Sequence, residues 1–329
     1  MVVKRSLTVR PETWPIAGTF TIARGSKTEA QIVVAEIREG GEIGRGECVP
    51  YARYGESVGS VTDAIQSLRG GIEAGLNRVA LQSRMCAGAA RNALDCALVD
   101  LECKLQGVSA PALLGLAPTK PVRTAYTISL GTPEAMAKAA AQARGFNLLK
   151  LKLGGANDAD RVAAVREAAP EADLIVDANE SWTDALLVPL TAACLRAGVK
   201  LIEQPLPEGK DEGLRGFMSP VPLCADESCR DRTSLAGLAG KYQVLNLKLD
   251  KAGGLTECLE LAKAAHAEDF SLMLGCMVAT SLAVAPILLL SGMAEFIDLD
   301  GPALLARDRD HGVRYENGMI IPPGRDLWG

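Results

Sequence analysis

Six short β-prone runs of this sequence close on ionisable side chains: Lys150-Leu151-Lys152, Asp177-Ala178-Asn179, Glu203-Gln204-Pro205, Asp226-Glu227-Ser228, Lys248-Leu249-Asp250 and Asp298-Leu299-Asp300. Asp177, Glu203 and Asp226 come from three successive runs. Carboxylates gathered in one place repel one another unless a cation lies between them. Oxygen donors without His or Cys select a hard dication, magnesium rather than zinc, and leave octahedral positions open to water or substrate. One Mg2+ per chain is the expectation. The alternative is a set of surface carboxylates paired with Lys150, Lys152 and Lys248, since ion-pair networks also collect ionisable groups. Recurrence at matching ends of successive runs favours the metal.

The lysines supply the other half of the chemistry. Side chains alternate along a strand, so Lys150 and Lys152 share one face while Leu149 and Leu151 take the other. The same parity aligns Asp177 with Asn179, Lys248 with Asp250, and Asp298 with Asp300, which makes Asn179 and Asp250 expected supports beside the ligands and lysines. In a ring of eight strands, Lys152 on the second and Lys248 on the sixth stand on opposite walls. Magnesium on a carboxylate stabilises the enediolate formed when the neighbouring carbon loses its proton, and a lysine with a cation-lowered pKa accepts that proton. If one lysine removes it and the other returns one from the opposite face, the stereocentre inverts. Lys152 and Lys248 are the candidate catalytic bases.

Eight β-prone runs are available to position these groups: Val122 to Ser129, Leu148 to Lys152, Asp173 to Ala178, Val199 to Glu203, Pro222 to Ala225, Gln243 to Lys248, Ser271 to Gly275 and Phe296 to Leu299. Helical stretches separate them, such as Thr132 to Arg144, where Thr132 can cap, Pro133 suits the first turn and Gly145 follows the end. Helix-length connections imply parallel strands, and eight of these close into a barrel whose active site lies at the strands' C-terminal ends. No helix is predicted between the last strand and Pro302. An open doubly wound sheet is the rival fold, but no GxGxxG follows the first strand. Before the barrel, Ala30 to Arg38 and Ile43 to Cys48 read as a hairpin around Gly40-Gly41. Ala89 to Leu105 reads as a helix with one buried stripe and Gly107 as its cap. The expected division is an α+β capping unit over residues 1–118, a barrel over 119–306, and a tail over 307–329 that packs back on the capping unit.

Composition narrows the partners. At 329 residues with 48% hydrophobic and 23% charged residues, the chain has enough apolar surface for a large core. A formal net charge of −5 without a basic run argues against nucleic acid or an anionic membrane and leaves small substrates. Met1 to Arg10 lacks the apolar core of a signal peptide, and Leu282 to Leu290 is too short to span a bilayer. Nine cysteines without a CxxC pair suggest a reducing cytoplasm. His266 and His311 are the only histidines, and neither lies near Cys224 and Cys229, the most closely spaced cysteines, so no zinc site is expected. The oligomeric state is left open, a homo-oligomer included.

Together, Lys150-Leu151-Lys152, Asp177-Ala178-Asn179, Glu203-Gln204-Pro205, Asp226-Glu227-Ser228 and Asn246-Leu247-Lys248 followed by Lys251-Ala252-Gly253-Gly254 resemble the enolase superfamily in its muconate-lactonizing subgroup. The resemblance covers nearly the whole chain. It implies a lid-forming α+β domain on a modified (β/α)7β TIM-like barrel, magnesium on Asp177, Glu203 and Asp226, and Lys152 and Lys248 as bases. Asp298-Leu299-Asp300-Gly301-Pro302 resembles the DxD signature of dipeptide epimerases, whose aspartates hold the substrate's free ammonium. Trp14-Pro15-Ile16, Phe20 and Ile22-Ala23-Arg24-Gly25-Ser26 are similar to the lid of L-Ala-D/L-Glu epimerases, which implies that Arg24 meets the glutamate side chain. Thr127 and Lys150 join the substrate-binding candidates. Where many relatives carry Glu before Thr after the seventh strand, this chain has Val278-Ala279-Thr280.

The expected activity is therefore epimerisation of L-Ala-L-Glu and L-Ala-D-Glu, which the resemblance connects with degradation of murein peptides. Alternatives that keep the site are an epimerase for other dipeptides, an N-acylamino acid racemase and a cycloisomerase or succinylbenzoate-forming lyase. An acid-sugar dehydratase commonly needs a histidine base, and neither histidine ends a predicted strand. A non-catalytic binding barrel has no need for bases on two faces.

Overall fold

The computed structural model describes residues 5–143 and 145–329. Residues 1–4, part of the stretch read for a signal peptide, and Arg144, the expected end of a helix, lie outside the described residues. The chain opens with an antiparallel sheet of β1 (Ser6–Ile22), β2 (Gly25–Glu39) and β3 (Glu42–Cys48). Gly40 and Gly41, both at positive φ, turn β2 into β3 as the hairpin expectation required. β1 lies outside the strands expected from the sequence. It carries Pro11 and Pro15, which an edge strand tolerates because its outer N–H groups need no partner.

Four short helices, α1 (Val58–Ser67), α2 (Arg69–Glu73), α3 (Arg78–Arg84) and α5 (Ala110–Leu114), flank the long α4 (Ala89–Gln106), which Gly107 ends in the left-handed conformation. α4 lies directly on β3: a Cβ on Gly44 would sit 2.1 Å from Ala97 O, and one on Gly46 2.0 Å from Ala93 O. The expectation of one buried stripe is corrected, for α4 is buried nearly all round. Its second side faces the barrel. There Arg91 donates to Ala252 O at 2.6 Å and Gly253 O at 3.0 Å, and Asp95 accepts from Thr256 N at 2.9 Å. Its polar residues tolerate burial because they satisfy backbone groups of the neighbouring element.

The barrel strands are β5 (Tyr126–Ile128), β6 (Leu148–Lys152), β7 (Asp173–Asp177), β8 (Val199–Glu203), β9 (Leu223–Ala225), β10 (Val244–Leu247), β11 (Ser271–Gly275) and β12 (Phe296–Asp298), in spatial order equal to chain order. The observed pairings are parallel, and Ala125 N donating to Ile297 O at 2.8 Å joins the two ends of the ring. The single run expected from Val122 to Ser129 is two strands. β4 (Val122–Arg123) pairs antiparallel with the tail, through β14 (Met319–Ile321), while β5 pairs parallel with β6. Two partners in two directions force a break at Thr124 and Ala125, whose N–H groups go to Gly318 O and Ile297 O.

The outer helices are α6 (Pro133–Gln142), α7 (Asp158–Ala168), α8 (Asp184–Arg196), α9 (Leu249–Ala252), α10 (Leu255–Ala267) and α11 (Ser281–Leu288). Thr132 caps α6 by accepting from Ala135 N, with Pro133 in the first turn. Apolar α11 is wholly buried, and no helix among the described residues is long and apolar enough to cross a membrane. The tail adds β13 (Arg314–Glu316), paired with β14, and then reaches α4, where Gly329 N donates to Asp100 at 2.7 Å and Trp328 Nε1 to Cys96 O at 3.2 Å.

Inside the ring, Ala125, Leu148, Ile175, Leu201, Cys224, Val244 and Met273 form a closed apolar layer. Stepping two residues along each strand from this floor reaches Thr127, Lys150, Asp177, Glu203, Asp226, Asn246 and Gly275. Strand alternation therefore stacks a polar layer directly on an apolar one.

Candidate active site

A cavity of about 410 Å³ opens above that polar layer, between the barrel mouth and the β1–β2 hairpin. Asp177, Glu203 and Asp226 are all buried, and each offers a carboxylate oxygen within 4.8 Å of the others. Register explains their meeting, since Asp177 pairs with Glu203 across β7 and β8 and Asp226 follows the end of β9. An all-oxygen, triply anionic donor set fits a hard dication.

Four lysines surround the triad. Lys152 Nζ lies 2.6 Å from Asp177 Oδ2, and Lys248 Nζ 2.7 Å from Asp226 Oδ2. Lys150 Nζ reaches Glu203 Oε2 and Asp298 Oδ2, both at 2.6 Å, and Asp177 Oδ2 at 3.3 Å. Lys251, on α9, holds Asp226 Oδ1 at 2.6 Å and anchors on Asn246 O at 2.8 Å. Gly275 makes room for Lys248, whose Cε would lie 2.9 Å from a Cβ there.

These contacts set the charges. Burial pushes the Asp177 carboxyl up, but Lys152 and Lys150 outweigh it and bring it to about 2; Asp226 is likewise held well below the usual range by Lys248 and Lys251. Glu203 rises to about 6 through burial and the charge of Asp177. Burial alone would lower Lys150 and Lys248, yet the surrounding carboxylates raise both well above the ordinary lysine value.

Strand parity is lost beyond the strand ends. Asn179 has φ +46°, and its N–H folds back onto Asp177 Oδ1 at 2.9 Å, leaving its buried Oδ1 without a partner. Asp250 does not align with Lys248, because Lys248 closes the extended backbone and Asp250 belongs to α9. It accepts instead from Val49 N at 3.0 Å and Asn92 Nδ2 at 2.8 Å, in the contact between capping unit and barrel. Asp300 also leaves the strand, yet accepts from Thr127 N at 2.6 Å and lines the cavity with Asp298 and Thr127. Burial and the charge of Asp298 push Asp300 to about 7, and Asp298 Oδ1 is buried without a hydrogen bond.

Arg24 hangs over the mouth from the β1–β2 turn. It donates to Glu227 at 2.7 Å, and at 3.0 Å to Glu180, Asn179 O and the Tyr51 hydroxyl. Arg53 grips Glu180 bidentately at 2.8 and 2.9 Å. Sequence reasoning did not assign roles to Glu180, Glu227, Arg53 or Lys27. Glu180 is presented by left-handed backbone at Asn179 and Glu180, which no periodicity reveals. Lys27 had a readable signal, since alternation from Phe20 across a hairpin would have found it.

Thr280 donates its N–H and hydroxyl to Glu47, which Arg309 of the tail pairs at 2.9 Å. Sheet, barrel loop and tail thus meet on one buried carboxylate.

Residues 134–326 match the model of the enolase C-terminal domain-like family, and residues 4–115 that of the mandelate racemase/muconate lactonizing enzyme N-terminal domain. The chain is 48% identical to the L-Ala-D/L-Glu epimerase of Escherichia coli (strain K12), covering 96% of this chain and 99% of that one. It is 43% identical to an N-acetyl-D-glutamate racemase of Pseudoalteromonas sp, covering 91% and 95%. Among solved structures, an enolase family member of Agrobacterium tumefaciens with homology to dipeptide epimerases, with bound sodium and L-Ala-L-Glu, superposes with a TM-score of 0.97 at 48% identity, over 99% of this chain and 100% of that one. The dipeptide epimerase of Cytophaga hutchinsonii, complexed with Mg and D-Ala-L-Val, superposes with a TM-score of 0.91 at 26% identity, over 98% and 94%.

Proposed function

Because the chain belongs to the enolase superfamily and carries the mandelate racemase/muconate lactonizing N-terminal domain, we propose that it interconverts L-Ala-L-Glu and L-Ala-D-Glu by moving the glutamyl α-proton between Lys152 and Lys248. The observation that carries the reading is the placement of these two lysines on β6 and after β10, on opposite walls, each reaching a different carboxylate of one triad.

Asp177, Glu203 and Asp226 would hold magnesium. When bound, the ion supplies positive charge that competes with the lysines for these carboxylates and stabilises charge developing on a substrate carboxylate. Lys152 and Lys248 flank the α-carbon from two faces, so one accepts the proton while the other, protonated, delivers one from the opposite side. Asp298 and Asp300 bind the alanine ammonium, a cation suited to the unpartnered Asp298 Oδ1. Arg24 lies on the side of the mouth that would receive the γ-carboxylate, and Thr127 fixes Asp300 through its backbone N–H. Lys150 stands between the triad and Asp298 and ties the metal end of the pocket to the ammonium end.

Incubation with each isomer in heavy water tests this. Deuterium should appear at the glutamyl α-carbon of both, and no exchange with either would sink the reading. A second reading, racemisation of N-acylated glutamate, has the 43% identical relative in its favour. Such a substrate offers no ammonium to Asp298 and Asp300.

We place the reaction in murein peptide degradation in the cytoplasm. Nine free cysteines support a reducing compartment. The proposed division is 1–118, 119–306 and 307–329, supported by matched regions that leave residues 116–133 between them.

A further inference from the structure

Lys27 faces Phe20 directly across the β1–β2 hairpin, two pairs back from its tip. Alternation places Phe20 and Ile22 of β1 and Gly25 and Lys27 of β2 on one face, and all four line the cavity. Lys27 Nζ lies 5.7 Å from the centroid of the Phe20 ring, and Lys152 Nζ lies 6.0 Å from the same centroid. The lid lysine and a proposed base thus both lie within about 6 Å of one aromatic ring.

The other cations lining the cavity are already matched. Arg24 is paired with Glu180 and Glu227, Arg53 with Glu180 and Glu208, and Lys150, Lys152 and Lys248 with the carboxylates of the barrel. Lys27 Nζ has neither an ion pair nor a hydrogen bond among the described residues and lies over the Phe20 ring. Burial and the charge of Lys152 both lower its pKa, as expected for a cation lacking a counter-charge. A carboxylate arriving beside Lys27 relieves that deficit. At Arg24 the same carboxylate must compete with Glu227 at 2.7 Å.

We propose that Lys27 is a specificity-determining residue, the counter-charge for an acidic side chain on the substrate's C-terminal residue, with Phe20 packing against its methylenes and Arg24 closing the mouth above. The proposal rests on the reaction proposed above. It implies a preference set by charge, in which glutamate is accepted, its isosteric amide is disfavoured and a cationic side chain is repelled.

The test is α-deuterium exchange by the magnesium-loaded enzyme with L-Ala-L-Glu and L-Ala-L-Gln, for the wild type, Lys27→Gln and Lys27→Arg. The ratio of kcat/KM for the two dipeptides should fall about tenfold or more in Lys27→Gln, chiefly through KM for L-Ala-L-Glu, and be largely restored in Lys27→Arg. Lys27→Glu should gain exchange with L-Ala-L-Lys. A role confined to lid packing would lower both dipeptides together and leave the ratio unchanged, which overturns the assignment. Wild-type exchange with an unchanged ratio in Lys27→Gln removes Lys27 alone, whereas no wild-type exchange with any dipeptide removes the proposed reaction and Lys27's role with it.

Discussion

Lys152 and Asp177 are register partners across β6 and β7, and their side chains meet at 2.6 Å above the shared ladder. Lys248 and Asp226, each just past the end of its strand, meet on the far wall at 2.7 Å. Replacing Lys152 or Lys248 singly by Ala should lower epimerisation in both directions by about a thousandfold or more, the scale of losing a positioned acid or base. Exchange that remains should be confined to one isomer. NMR of each isomer in heavy water checks this, and equal residual exchange of both isomers would remove the two-face assignment.

Magnesium should also appear as stability. A ligand at about 100 times its Kd adds roughly 2.7 kcal/mol to the native state, which raises the Tm by several degrees. Differential scanning fluorimetry with and without magnesium should show this in the wild type and not in Asp226→Asn, and chelation should end turnover. An equal shift in Asp226→Asn would place the ion elsewhere.

Asp298→Asn should raise KM for L-Ala-L-Glu by about tenfold or more, because a charge-assisted contact to the ammonium becomes a neutral one. N-Acetyl-glutamate lacks that ammonium and should be turned over no worse by the variant. Loss of both substrates in parallel would deny Asp298 the ammonium.

Burial pushes Asp250 to about 7 from an ordinary 3.8, with the nearby Glu56 and Glu47 adding to the rise and hydrogen bonds from Val49 and Asn92 opposing it. Between those values the folded chain keeps a proton that the unfolded chain has released. The contribution is complete below about pH 4 and is lost as pH rises through about 7. Asp250→Asn keeps an acceptor for both donors and removes the titration, so its stability relative to wild type should increase from pH 5 to pH 8 in urea unfolding. Parallel curves would contradict the assignment.

Arg309→Ala should destabilise the fold by about 3 kcal/mol, since it leaves Glu47 buried with its main counter-charge gone. Urea denaturation should show the loss, and Glu47→Gln combined with Arg309→Ala should recover part of it.

The barrel was legible because its signal is local. Leu148, Lys150 and Lys152 alternate inward by the geometry of extended backbone alone, and the same rule carries Ile175 to Asp177 and Leu201 to Glu203. It stopped being legible two or three residues past the strands, where Asn179 turns left-handed and Asp250 enters a helix. α4 misled for a related reason: periodicity reports an apolar stripe, while Arg91, Asn92 and Asp95 are buried by groups brought from far along the chain.

The sequence by itself determined the ring of strands, the oxygen-only triad and the two lysines, because each depends on residue type and a period of two. Tertiary structure alone decided which charges are spent and which are free. Arg24 is taken by Glu180 and Glu227, Lys150 by Glu203 and Asp298, and Lys27 by no carboxylate among the described residues. Pairing over a few ångströms depends on which distant segments share a pocket, and strand alternation carries no information about that distance.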